Sequence, residues 1–136
     1  MQDRPDVSEL LAAVRGFLED DVVPALEGPR QFHARVAANV LAIVGRELAG
    51  EEESLLAEWR GLARLLGGAG DPPPRLEALR AAVRAGAAAL AERIRLGEAD
   101  VGPFGAAVRA HVRATVEDKL RVANPRFLGA PGGATR

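Results

Sequence analysis

Cysteine is absent from this 136-residue chain, which excludes disulfides and thiolate metal sites and leaves nothing to mark an oxidising compartment. That fits a cytoplasmic protein. Tyrosine is missing too, and lysine occurs once, at Lys119, so the other 17 of the 18 basic residues are arginine. With alanine and glycine abundant, the arginine excess looks like codon-composition bias, against which the single lysine stands out. An excess of either charge is also lacking. With 18 basic and 19 acidic residues the net charge is -1, so no global field would draw in nucleic acid. The longest apolar run, "VAANVLAIV" at 36–44, falls far short of the roughly 20 residues of a membrane span. The charged start, "MQDRPD", runs into an amphipathic stretch rather than an apolar segment, so no signal peptide is expected.

What is present is helical periodicity. A content of 48% hydrophobic and 27% charged residues suits an ordinary globular protein of one domain. The pattern predicts an all-α, single-domain five-helix bundle over 1–128, with a central second helix and a disordered tail at 129–136. The first helix starts near Val7, behind Asp6 as N-cap with Glu9 as its reciprocal partner, and Pro24 should end or kink it. The second, 29–48, opens on Pro29 and carries a wide apolar arc of Phe32, Val36, Val40, Leu41, Ile43, Val44 and Leu48, all expected to be buried. The third, 52–66, opens on three glutamates suited to a helix N-terminus and reads as a surface helix striped by Leu55, Trp59, Leu62 and Leu66. The fourth, 73–96, follows the loop "GGAGDPPP" with Asp71 placed to cap it, and shows Leu76, Leu79, Val83, Leu90 and Ile94 on one stripe with Gly97 at its end. The fifth, 103–123, stops at Asn124–Pro125 and carries Phe104, Val108, Val112, Val116 and Val122. Nothing alternates with period two, and there is no internal repeat.

The residue sets of familiar chemistry are missing. The two histidines lack the acidic residue three positions before them that a di-iron bundle requires, "HExxH" is absent, and zinc has no ligand set. The glycine-rich loop has neither the lysine nor the hydroxyl of a phosphate-binding loop. Ser8 and Ser54 both stand near helix starts, where capping or exposure explains them. The arginine–histidine motif of helical ribonucleases is not found. No metal or cofactor is called for, and the residues point away from an enzyme without closing that alternative.

Some polar residues fall where apolar ones are expected. On the second helix His33 sits near the centre of the arc, with Arg35, Asn39 and Arg46 along its edge. On the fifth, Lys119 points into the arc, with His111, Thr115 and Asp118 on its border. Hydrogen-bonded histidine and long basic stems lying over apolar surface explain most of this. An anion-binding groove is the alternative, since Arg35, Asn39 and Arg46 could hold a phosphate or carboxylate. In an up-and-down bundle His33 and Arg35 would meet Asp118 and Lys119, with Lys119 partly enclosed. His33, Arg35, Asn39, Arg46, His111, Asp118 and Lys119 are the candidate ligand-binding residues.

Three segments, "RPDVSELLAAVRGFLEDDVVPAL", "FHARVAANVLAIVGREL" and "HVRATVEDKLRVANPRFL", resemble a bacterial family of small proteins of unknown function. Its members are often encoded beside aminoglycoside-phosphotransferase-like kinases and acyl-CoA dehydrogenases. The resemblance implies a setting in acyl-CoA or related catabolism and one of those enzymes as a partner. Two functions stay open: an accessory protein that binds such an enzyme or a second copy of itself through an apolar helix face, and a binder of an anionic small molecule, or an enzyme, built on the polar cluster.

Overall fold

The computed structural model describes residues 4–68 and 70–129. Among them all regular structure is helical, as the periodicity predicts, with no strand. The expected tail lies outside the described residues except for Gly129. The chain divides into two compact units, Met1–Gly50 and Glu51–Arg136.

In the first unit, α1 (Val7–Phe17) opens on the expected capping box. The Glu9 N–H donates to the Asp6 carboxylate at 2.9 Å, and the Asp6 N–H donates to the Glu9 carboxylate at 2.8 Å. Two of the helix's unpaired N-terminal donors are thereby satisfied. Beyond α1 the backbone widens into a π-helical turn, Leu18–Val22, before one last turn, α2 (Val23–Ala25). Pro24 is the cause. Its ring would clash with the carbonyl four residues back, and a wider turn makes room for it. The chain then turns into α3 (Gly28–Leu66), with the Gln31 side-chain amide donating to the Val23 carbonyl at 3.1 Å.

α3 corrects the expected boundaries. Where two helices, 29–48 and 52–66, are predicted, one helix of 39 residues runs through both. A break would leave several carbonyls and N–H groups at the new ends without partners, whereas carrying Gly45 and Gly50 through costs about 1 kcal/mol each. Glu51, Glu52 and Glu53 are thus mid-helical and meet no N-terminal dipole. The wide arc is corrected as well. Phe32, Val36, Val40, Val44 and Leu48 are exposed, Leu41 and Ile43 are half-buried, and the buried positions of this stretch are Ala34 and Ala38.

The second unit holds the rest of α3 with α4 (Leu76–Arg95), α5 (Gly102–Ala123) and the short α6 (Pro125–Gly129). Its core is Leu62 of α3, Leu79, Val83 and Leu90 of α4 and Val108 of α5, with Leu55, Leu56, Trp59 and Phe104 packed around them. The stretch 52–66 is therefore a core element rather than a surface helix. α4 starts at Leu76 and not at 73, because residues preceding proline are pushed out of helical geometry and three prolines run from 72 to 74. Arg75, not Asp71, is its N-cap, and it supplies no side-chain bond. Gly97 ends α4 with φ of +82°, a left-handed conformation that a residue with a Cβ rarely adopts. Of the fifth-helix arc, Val108 is buried, Phe104 and Val122 are half-buried, and Val112 and Val116 are exposed.

Two arginines tie this unit together. Arg93 donates from Nη1 to the Leu65 carbonyl at 3.0 Å, pairs with Glu98 at 2.6 Å, and places its guanidinium 4.1 Å from the centre of the Phe104 ring. One side chain thus joins the end of α3, the turn after α4 and the start of α5. Arg80 of α4 grips Glu51 of α3 with two parallel hydrogen bonds. That contact lowers the Glu51 pKa from its ordinary 4.5, chiefly through the Arg80 hydrogen bond. A carboxylate whose folded pKa is depressed adds stability that is complete above its unfolded value and is lost as pH falls through the folded one. Wild type is therefore expected to melt higher than Glu51→Gln at pH 6–7, with the gap closing below about pH 4.5. Thermal melts of both proteins from pH 3 to 7 check this, and a gap that does not change with pH would contradict it.

Candidate functional site

Small residues open a groove between two helices of the second unit. Ala57 and Gly61 on α3 face Ala107, Ala110 and Ala114 on α5, and the space they leave is about 530 Å³. That lies within the range of small-molecule pockets. Glu58, Arg64, His111, Thr115 and Asp118 supply its polar groups. Gly61 is needed for the fit, since a Cβ there would meet the His111 ring, with Cε1 only 2.7 Å away. The lining mixes two carboxylates with an arginine and an imidazole, so it offers both donors and acceptors rather than a field of one sign. Among the described residues no three His, Asp or Glu side chains are grouped to hold a metal ion.

Of the residues chosen from sequence, His111 and Asp118 line this groove. Lys119 does not. It is exposed on α5, contrary to the expected partial enclosure. The cation beside Asp118 is Arg121, one turn further along the same helix. A contact at i, i+3 forms without any tertiary packing. In the first unit His33, Arg35 and Asn39 are exposed and Arg46 is half-buried, so His33 is not a core histidine. Its ring lies 5.8 Å from that of Phe32. Glu58 and Arg64 were not singled out from the sequence. Nothing in their local pattern separates them from the other charges of α3, and only the small residues opposite give them a groove to face.

Residues 24–127 match a family described as "Domain of unknown function (DUF6285)". The chain belongs to this family. The family's span takes in the exposed face of α3, the groove and both arginine ties, and leaves out α1. The uncharacterised family expected from the three quoted segments is thus borne out for the second and third of them; the first lies almost wholly before the span. No curated protein and no solved structure matches the chain significantly.

Proposed function

We propose that the protein is a non-catalytic accessory domain that works by binding other protein chains through apolar helix faces. The observation that carries this is two uncovered faces in the first unit, Val7, Leu10, Val14 and Phe17 on α1 and Phe32, Val36, Val40, Val44 and Leu48 on α3, every one of them exposed. Large side chains repeating at three and four along a helix ordinarily face a core, and contiguous apolar patches left open mark interaction sites. The resemblance to proteins encoded beside aminoglycoside-phosphotransferase-like kinases and acyl-CoA dehydrogenases names the enzymes to try, and a role in acyl-CoA catabolism in the cytoplasm follows from that setting. No helix among the described residues is long and apolar enough to cross a membrane.

Titration calorimetry of the chain against a purified kinase and a purified dehydrogenase of those classes tests the assignment. Saturable binding to one of them is expected, weakened at least tenfold by Val14→Asp on α1 in a protein that keeps its helical circular dichroism. Binding to neither enzyme, or binding indifferent to Val14→Asp, would contradict it.

The groove supports a second reading, an anionic small-molecule site using His111 and Arg64. Thermal stabilisation by phosphate or small carboxylates that disappears in His111→Ala would favour it.

A further inference from the structure

Of the carboxylate and guanidinium groups that line the groove between α3 and α5, Asp118 is matched by Arg121, whereas Glu58 and Arg64 have no ion-pair partner among the described residues. The two cannot satisfy one another. They are six residues apart on α3, roughly 9 Å along the axis and about 120° around it, and side chains that meet on a helix are three or four apart. Glu58 is half-buried and Arg64 stands exposed on the rim. The two helices run antiparallel here, because Arg93 reaches both Leu65 and Phe104 at one end while Gly61 abuts His111 further along. Glu58 therefore lies toward Thr115 and Asp118, and Arg64 toward Ala107. Between these ends the walls are Ala57, Gly61, Ala110 and Ala114, with His111 midway; Arg60 and Glu117, on the same two helices, are not part of the lining. The groove has a negative end, a largely apolar middle and a positive end.

We propose that the groove takes a small aliphatic amino-carboxylate, with its ammonium group at Glu58 and its carboxylate at Arg64. The inference rests on the anionic-site reading above and adds a cation at the ligand's other end. A monocarboxylate leaves Glu58 unmatched, and a dicarboxylate of the same length would set two like charges together. An ammonium group there makes charge-assisted hydrogen bonds instead. The alanine walls suit methylene groups, which gain by leaving water and need no hydrogen-bond partner. An extended chain gains about 3.8 Å over three bonds, so 6-aminohexanoate sets its charged ends roughly 7–8 Å apart, close to the axial separation of Glu58 and Arg64.

The probes are 6-aminohexanoate, hexanoate and hexylamine, each titrated into the full chain and followed by backbone amide chemical shifts, those of Gly61 and His111 reporting the groove. 6-Aminohexanoate is expected to shift both signals and to bind at least fivefold more tightly than either singly charged probe, since each end adds a charge-assisted contact. Glu58→Gln should bring its affinity down to that of hexanoate, and Arg64→Gln down to that of hexylamine, in proteins whose circular dichroism is unchanged. The comparison of the three probes on wild type decides the matter even where a variant fails to fold. Hexanoate binding as tightly as 6-aminohexanoate, with Glu58→Gln without effect, overturns the two-ended ligand and leaves the anionic site standing. Hexylamine binding as tightly as 6-aminohexanoate, or no shift at Gly61 and His111 with any probe, overturns both.

Discussion

Leu79→Ala is expected to cost about 2–5 kcal/mol, a large share of the roughly 5–15 kcal/mol that hold a domain together. Leu79 is 2% exposed and sits with Leu62, Val83, Leu90 and Val108, so its removal leaves a cavity bounded by helices that can relax only in part. Urea denaturation followed by circular dichroism should show a lower midpoint with little change in slope. Leu76→Ala on the same helix, where the side chain is 37% exposed, is the control and should cost much less. Equal effects at the two positions would mean that the core of the second unit is misplaced.

Gly105→Ala is the second large effect, in the opposite steric sense. Gly105 is buried in the first turn of α5, and a Cβ there would fall on the Ala99 carbonyl, whose carbon is 3.0 Å away and whose oxygen is nearer still. The obstacle is backbone, so no rotamer change relieves it. A cost of about 1–3 kcal/mol is expected from overpacking, enough to outweigh the 0.5–1 kcal/mol that alanine ordinarily gains over glycine inside a helix. Gly45→Ala, mid-helix and with nothing within 4 Å of the new Cβ, should instead be neutral or stabilising. Melting temperatures of the two variants moving in opposite directions is the expected result, and Gly105→Ala melting at or above wild type would contradict it.

How far the sequence could be read depends on the distance over which each feature is decided. The capping box of Asp6 and Glu9, the end of α4 at Gly97 and the end of α5 before Pro125 are settled within a few residues, and all three are legible. Continuity at Gly50 is not, because glycine and three glutamates are compatible with either a turn or an unbroken helix. Burial is legible only where tertiary packing agrees with side-chain size. On α4 it does at Leu79, Val83 and Leu90, which are buried as their stripe predicts, but not at Leu76 and Ile94 towards its two ends, which are exposed. In the first part of α3 it does not. There the large residues form the stronger pattern, yet the small Ala34 and Ala38 are the buried ones. Lys119 is an oddity of composition, and in the structure it is an exposed cation beside a pair formed by Asp118 and Arg121. The pairing of Glu51 with Arg80, 29 residues apart, left no trace in local spacing.

The proposed role, presenting apolar helix faces to other protein, predicts association that an exposed apolar residue controls. Sedimentation equilibrium over a concentration series, for wild type and Val40→Asp, alone and mixed with a kinase or dehydrogenase of the classes named above, tests it most directly. Burying a carboxylate in an apolar contact is strongly unfavourable, so any association that wild type shows, alone as concentration increases or in a mixture, should be weakened at least tenfold in Val40→Asp. A wild-type protein that sediments as one chain at every concentration and in every mixture would contradict the account.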